Sequence, residues 1–96
     1  MEFSANAVKA GSDSKHDLLL QLELVGNTRE IELHSKVEKK FSDAIRADVN
    51  EVLDTYKIQG AKIQIDDLGA WDFAIKARTE TAIKRALAKK EAAQHE

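Results

Sequence analysis

Two stretches of alternating apolar and polar residues lie close together in the first half of the chain. The first runs over residues 17–25 with leucine at every second position, and the second runs over residues 30–34. A period of two is typical of β-strands. Gly26-Asn27 lies between them and can adopt the positive φ angles of a tight turn. The pattern predicts a β-hairpin.

A helix is predicted directly after the hairpin. The Ser35 hydroxyl can accept a hydrogen bond from the Glu38 amide while the Glu38 carboxylate reaches back, which is a capping box. Apolar residues then recur at spacings of three and four over about five turns, as on one buried helix face. Gly60 follows as a helix break. The apolar face consists of Val37, Phe41, Ala44, Ile45, Val49, Val52, Leu53 and Tyr56.

The same order of elements repeats in the second half. The pattern predicts a strand at residues 62–66, a turn at residues 67–69, a strand at residues 71–76 and a helix from about Ala77 into the nineties. Strands with one polar face need apolar cover on the other face. The predicted fold class is therefore α+β. Two strand–strand–helix units form a four-stranded antiparallel sheet with two helices on one face.

The stretch before Asp17 is small, polar and aperiodic. It predicts a flexible arm over residues 1–16, ahead of a single α+β domain over residues 17–96. A chain of 96 residues has the size of one small domain. With no cysteine, it can form neither a disulfide nor a thiolate site.

The charge and hydropathy of the chain argue against a nucleic-acid-binding protein and against a membrane-spanning protein. The formal net charge of −2 argues against a nucleic-acid binder, which usually presents a basic surface. No apolar run approaches the roughly 20 residues that span a bilayer, and the amino terminus lacks the order of a signal peptide. A cytoplasmic location is expected.

Most polar clusters are better explained by structure than by chemistry. Ser14, His16 and Asp17 do not suit a catalytic triad, because neighbours in one loop rarely place a base at a serine oxygen. The histidines at positions 16, 34 and 95 lack metal-ligand spacing. Asp66-Asp67 is typical of a turn and lacks the ligand ladder of a calcium loop. A basic cluster is expected to complement the dipole at the end of the last helix. It consists of Lys84, Arg85, Lys89 and Lys90.

Three motifs stand in order along the chain. They are VEKKFSDAIR at residues 37–46, DDLGAWD at residues 66–72, and ARTE at residues 77–80 with RA at residues 85–86. In these motifs and their order the chain resembles the acyl carrier protein (gamma) subunit of bacterial citrate lyase. The resemblance covers residues 31–87 well and residues 7–30 loosely.

The resemblance implies a carrier without an active site of its own. A serine near the amino terminus would carry covalently attached 2'-(5''-phosphoribosyl)-3'-dephospho-CoA through a phosphodiester, and the thiol of this arm would hold acetyl or citryl as a thioester. The implied partners are the alpha (transferase) and beta (lyase) subunits and a prosthetic-group transferase, with no nucleic acid and no membrane. A long tether keeps the acyl group at high effective concentration near two active sites.

The resemblance also selects the attachment serine. Family members commonly have Ala-Gly-Thr-Leu-Glu-Ser, then one residue, then aspartate. Counting back from Asp17 without a gap puts Lys15 in the serine position, and lysine cannot form the phosphodiester. A shift of one residue aligns the acid–serine pair and selects Ser14, with Ser12 in reserve. Ser14 also lies among small polar residues, where a modifying enzyme can reach the backbone.

Three other functions stay open. One is the carrier subunit of malonate decarboxylase, which bears a similar prosthetic group. Another is a cofactor-free protein-interaction module that uses the polar face of the sheet, and a third is a small RNA-binding domain, which the charge disfavours. Trp71 and Phe73 are expected to pack in the core instead of stacking on bases. The polar face would consist of Gln21, Glu23, Glu30, Glu32, Lys62, Gln64, Asp72 and Lys76.

Overall fold

The computed structural model describes residues 2–12, 16–35, 39–70 and 72–94. Four strands and two helices follow one another in the order β1, β2, β3, α1, β4, α2. Their bounds are β1 Val8–Gly11, β2 Leu18–Glu23, β3 Arg29–His34, α1 Lys39–Thr55, β4 Ala61–Asp67 and α2 Asp72–Gln94. The predicted α+β class with four strands and two helices is confirmed.

The sheet is mixed, so the expectation of a purely antiparallel sheet is wrong. The strand order is β1-β2-β4-β3, in which β1–β2 and β2–β4 are antiparallel and β3–β4 are parallel. The predicted hairpin of β2 and β3 does not form, because β4 lies between the two strands. Ile63 of β4 pairs with Leu22 on one side and with Ile31 on the other. Parallel neighbours need a crossover connection, and α1 provides it between β3 and β4.

The fourth strand and the second helix also differ from the prediction. Val8–Gly11, inside the stretch expected as an arm, is strand β1, whereas residues 72–76 belong to α2. The Asp67 carboxylate explains the turn, since it accepts hydrogen bonds from the amides of Gly69 (3.2 Å) and Ala70 (2.9 Å). The turn therefore leads from a strand into a helix. Phe73 is 74% exposed, so its expected place in the core is wrong, and Trp71 lies outside the described residues.

Helix α1 carries the predicted apolar face in its central and final turns. Ile45, Val49, Val52 and Leu53 are buried, whereas Phe41 is 52% exposed. The predicted capping box involves Glu38, which lies outside the described residues; the Ser35 hydroxyl donates to Asp67 Oδ2 at 3.0 Å.

Helix α1 ends at Thr55, and Gly60 lies a few residues past this end, as predicted. Lys57 has a φ of 57° and its amide donates to the Asp54 carbonyl, while the Ile58 amide donates to the Leu53 carbonyl. This pair of bonds is a Schellman motif with Lys57 in the left-handed position.

Both helices pack on one face of the sheet and run in the same direction. Lys76 of α2 pairs with Glu51 of α1 at 3.0 Å, and Glu80 one turn later bonds Tyr56 beyond the end of α1. Since each helix follows the carboxyl end of β3 or β4, both begin at the same end of the molecule. The core between the layers contains Leu18, Leu20, Leu22, Val49, Leu53, Ile63, Ile65, Ile75, Ala82 and Ile83.

The sheet face that does not contact the helices is smaller and less exposed to solvent than the predicted polar face. Asp72 and Lys76 are in α2, so the sheet face does not include them. Glu23 is only 7% exposed because its carboxylate accepts hydrogen bonds from the Ser4 amide and hydroxyl at 2.7 and 2.8 Å. Among the described residues, neither helix combines the length and apolarity needed to cross a membrane.

Candidate attachment site

The connection between β1 and β2, residues 12–17, contains both candidate attachment serines. Ser14 lies outside the described residues, and so do its two neighbours, residues 13 and 15. The assignment of Ser14 therefore stays a prediction. The structure describes the two ends of this connection, which we call the attachment loop: Gly11 and Ser12 on one side, and His16 and Asp17 on the other.

The two strands approach each other closely at the start of the attachment loop. Gly11 has a φ of 92°, and a Cβ atom added there would lie 1.9 Å from the Leu18 carbonyl oxygen. The next amide, from Ser12, donates to that same oxygen at 2.9 Å. Only glycine fits a left-handed conformation this close to the neighbouring backbone. The loop thus leaves the sheet from a fixed position.

Asp17 is the centre of the hydrogen bonds that hold the loop. Its Oδ2 accepts from the Ser12 hydroxyl at 2.7 Å and its Oδ1 accepts from the Leu18 amide at 2.7 Å. Arg78 of α2 donates from Nη2 to Oδ2 at 2.9 Å and from Nε to Oδ1 at 3.2 Å. The bonds from Arg78, then from Ser12 and the Leu18 amide, lower the pKa of Asp17 to about 2. Asp17 is therefore a carboxylate at neutral pH.

This arrangement gives Ser12 a structural role. A carboxylate with a pKa of about 2 is a weak general base, so Asp17 would activate the Ser12 hydroxyl poorly. A phosphodiester at Ser12 would also remove the hydroxyl hydrogen that Asp17 accepts. Both points favour Ser14 over Ser12 as the attachment residue.

The other end of the loop is tied to the turn between β4 and α2. The His16 amide donates to the Leu68 carbonyl at 2.9 Å, and the Leu68 amide donates to the Asp17 carbonyl at 3.0 Å. His16 has a φ of 65°, which turns the chain back toward β2. Three connections therefore meet at one end of the molecule: the attachment loop, the β4–α2 turn and, through Ser35, the segment before α1.

This end carries both positive and negative groups, because the carboxylates of Asp17, Asp66 and Asp67 lie here together with Arg78. Both helices begin here, and a helix amino terminus carries a partial positive charge. Arg78 is 42% exposed and uses only two of its three nitrogens on Asp17; its Nη1 has no hydrogen-bond partner in the described part of the chain.

His34 pairs with Glu32 at 2.9 Å and with Asp66 at 3.2 Å, and its hydrogen bond to the Glu32 carboxylate contributes most to raising the pKa of His34. Within the described ranges, no three histidine or acidic side chains are grouped as metal ligands. His95 lies outside the described residues.

The basic cluster lies within α2 instead of in its last turn, so its expected role at the helix terminus is wrong. Lys84 pairs with Glu80 at 2.9 Å. Arg85 and Lys89 donate to the backbone carbonyls of Lys9 and Ala5.

Sequence reasoning missed the Asp17–Arg78 pair, although both residues lie in stretches that were singled out. Arg78 belongs to the ARTE motif, and Asp17 was used only to align the serine. One sequence feature could have indicated the pair. Arg78 is a charged residue on the same helix face as the buried residues Ile75, Thr79 and Ala82, and a charged residue in such a place usually has a partner.

Comparison with known proteins agrees with the resemblance in the motifs. A family model described as ACP, malonate decarboxylase delta subunit (MdcD), matches residues 5–86. The citrate lyase acyl carrier protein of Weissella paramesenteroides is 39% identical over 87 residues, which are 91% of this chain and 89% of that protein. The citrate lyase acyl carrier protein of Treponema denticola is 38% identical over 86 residues, covering 90% of this chain and 97% of that protein.

The citrate lyase acyl carrier protein of Yersinia enterocolitica is 42% identical over 79 residues, which are 80% of each chain. The range matched by the family model extends over the four strands, the attachment loop, α1 and most of α2. The chain belongs to the citrate lyase acyl carrier protein family.

Proposed function

We propose that this protein is the acyl carrier subunit of a cytoplasmic citrate lyase complex. In this proposal Ser14 is linked through a phosphodiester to 2'-(5''-phosphoribosyl)-3'-dephospho-CoA, whose thiol holds acetyl or citryl as a thioester. The alpha (transferase) and beta (lyase) subunits perform the chemistry, and a prosthetic-group transferase loads the serine. The carrier itself is not an enzyme.

The anchoring of the attachment loop is the structural observation that carries the proposal. Ser12 and Asp17 close one side of the loop, and His16 and Leu68 close the other. A carrier needs a modifiable residue at a fixed place on a rigid domain, so that two partner enzymes find it in the same position. The loop ends meet this need because they are held by α2 through Arg78 and by the β4–α2 turn.

The residues around the loop fit the group that the family implies. Its phosphates are anions, and Arg78 is the residue that would bind the phosphodiester or the ribose phosphate. The amino-terminal ends of both helices favour the same charge. When bound, the group supplies the thiol, which this chain lacks because it has no cysteine. The domain contributes position, charge and a recognition surface.

Intact mass spectrometry tests this proposal. The protein is produced with and without the prosthetic-group transferase, and we expect one added nucleotide-sized group only in the first case. Ser14→Ala should remove the added mass, whereas the matched control Ser12→Ala should keep it. Unchanged mass in the wild-type protein would support the cofactor-free interaction module, and an added mass that persists in Ser14→Ala would move the site to Ser12.

A second candidate function is the carrier subunit of malonate decarboxylase. The description of the matching family model favours it, since that model takes its name from the malonate decarboxylase delta subunit. Binding experiments with purified subunits separate the two. A citrate lyase carrier should bind the citrate lyase transferase subunit more tightly than the corresponding malonate decarboxylase subunit, and the reverse order would favour the second candidate.

A further inference from the structure

The two edge strands of the sheet, β1 and β3, each have a backbone carbonyl that is bonded to an arginine of a helix. Arg46 of α1 donates from Nη1 to the Ile31 carbonyl of β3 at 2.6 Å. Arg85 of α2 donates from Nη1 to the Lys9 carbonyl of β1 at 2.7 Å. The two arginines therefore lie at opposite edges of the same sheet.

Both carbonyls point away from the sheet. The Thr28 carbonyl accepts from an amide of β4 at 3.1 Å, and directions alternate along a strand, so the Ile31 carbonyl three residues later faces outward. On the other edge, the Ser12 amide donates to β2 at 2.9 Å, so the amide and carbonyl of Lys9 face away from β2. Outward-facing backbone groups on an edge strand are a template for a further strand.

The two edges are complementary to each other in direction and in charge. Strands β1 and β4 are both antiparallel to β2, and β3 is parallel to β4, so β1 and β3 run in the same direction. Lys9 lies on the sheet face away from the helices, since its neighbour Ala10 is buried in the core. Glu30 and Glu32 of β3 lie on the same face, because Ile31 packs against the core.

These relationships define one register in which β1 of a second copy fits β3. In a parallel pair, a residue whose backbone groups point at the partner strand lies opposite a residue whose groups point away. With Lys9 opposite Glu32, the Lys9 amide would donate to the Ile31 carbonyl, and the Leu33 amide would donate to the Lys9 carbonyl. Opposite charges would then be neighbours on one sheet face. Both carbonyls are the ones that the two arginines hold.

We propose that Arg46 and Arg85 keep this protein monomeric by occupying the carbonyls through which β1 of a second copy would join β3. Lys89, one turn after Arg85, extends the cover because it donates to the Ala5 carbonyl ahead of β1. The blocked contact is head-to-tail, since it uses a different edge on each copy. Such a contact leaves one edge open at each end and continues as a chain of copies.

Single variants and their mixture test the proposal by sedimentation velocity on the unmodified full chain. Arg46→Ala opens only the β3 edge, and Arg85→Ala opens only the β1 edge. Each variant alone should stay monomeric, because the contact needs both carbonyls to be free. An equimolar mixture should form a dimer of one copy of each, and the double variant Arg46→Ala/Arg85→Ala should form species larger than a dimer that grow with concentration.

Two controls separate edge pairing from a general effect of lost charge or stability. Lys76→Ala/Lys84→Ala removes the same number of positive charges from ion pairs on the helices, and it should stay monomeric. Lys9→Pro, added to the double variant, removes the outward amide of β1 while leaving the ladder to β2 intact, so it should restore the monomer. Circular dichroism shows whether each variant is folded.

Three results would overturn the proposal. A folded double variant that stays monomeric shows that the arginines do not control association. Dimers of Arg46→Ala alone show that two β3 edges pair with each other, and association that persists after Lys9→Pro shows that β1 is not the contact. Because the mixture needs only one lost arginine in each chain, it decides the matter even where the double variant fails to fold.

Discussion

Arg78 donates two hydrogen bonds to Asp17, from Nε to Oδ1 at 3.2 Å and from Nη2 to Oδ2 at 2.9 Å. The two residues are 61 positions apart, so this pair joins α2 to the attachment loop near the start of the chain. It is the longest-range contact that fixes the loop. The pair also keeps the Asp17 carboxylate charged, and therefore able to hold Ser12.

Removal of the Arg78 side chain should loosen the loop. Arg78→Ala should lower the free energy of unfolding by about 1 kcal/mol, since the pair is bidentate but the arginine is partly exposed. Urea unfolding measures the difference. The control Lys84→Ala removes an exposed pair within α2 and should lower the free energy of unfolding less than Arg78→Ala does. Equal effects of the two variants would mean that the Asp17–Arg78 pair adds no special stability.

Acid should release the loop within a defined pH range. The pKa of Asp17 is about 2 in the folded protein against 3.8 as the ordinary value. Because the folded pKa is the lower one, the unfolded chain binds the extra proton first, and stability falls as pH drops from about 4 to about 2. Titration of the Asp17 carboxyl carbon by NMR should give a midpoint near 2 in the wild type.

The same titration shows whether Arg78 lowers the pKa of Asp17. In Arg78→Ala the midpoint should move up toward 3.8, because the largest contribution to the lowered pKa is then lost. The variant Asp17→Asn should also lose less stability between pH 4 and pH 2 than the wild type does. A midpoint near 3.8 in the wild-type protein would contradict the described geometry.

Glycine at position 11 should be essential for the close approach of β1 and β2. Gly11→Ala would combine a left-handed conformation with a Cβ atom 1.9 Å from the Leu18 carbonyl oxygen. We expect a loss of more than about 2 kcal/mol in the free energy of unfolding. The matched control is Gly26→Ala, where φ is 73° but no atom lies within 4 Å of the added Cβ. Its cost should be limited to about 1 kcal/mol.

Lys57→Gly should stabilise the fold. Glycine relieves the strain of the left-handed position at the end of α1, which is worth about 0.5–1 kcal/mol. Thermal unfolding should show a higher Tm for Lys57→Gly and no gain for Lys57→Ala, which keeps a Cβ atom. A lower Tm for the glycine variant would show that the lysine side chain itself contributes to stability.

The elements with a clear period could be predicted from the sequence. Leu18, Leu20 and Leu22 are all buried in β2, and Ile63 and Ile65 are buried in β4, as their alternation indicates. Helix α1 was equally clear because its apolar face extends over several turns. These elements could be predicted because the period of their apolar residues matches the burial of those residues in the folded protein.

Strand partners and short elements could not be predicted in this way. Gly26-Asn27 looks like a hairpin turn between β2 and β3, but β2 pairs with β1 and β4 instead, and no local sequence pattern indicates these partners. Strand β1 has only four residues of mixed character. At residues 71–75, three apolar residues fit a strand, but Ile75, Thr79, Ala82 and Ile83 have the spacing of a helix face.

The candidate site was also predicted only in part, because some of its contacts depend on tertiary packing. The family motifs directed attention to the region around Ser14, because a resemblance assigns function by position in the chain. They could not show that Ser12 is held by Asp17, or that Arg78 completes this contact, since both depend on the packing of α2 against the attachment loop.

The position of β4 in the middle of the sheet has a consequence for folding. A ribosome releases β2 and β3 well before β4, yet these two strands do not pair with each other and are joined only through β4. Before β4 emerges, the amino-terminal half can form only the two-stranded β1–β2 pair, which is marginally stable by itself, so we expect the sheet to form only after residue 67 has emerged. A fragment that ends at Gly60 should be unfolded by circular dichroism, while a chain that ends at residue 94 should fold like the whole protein.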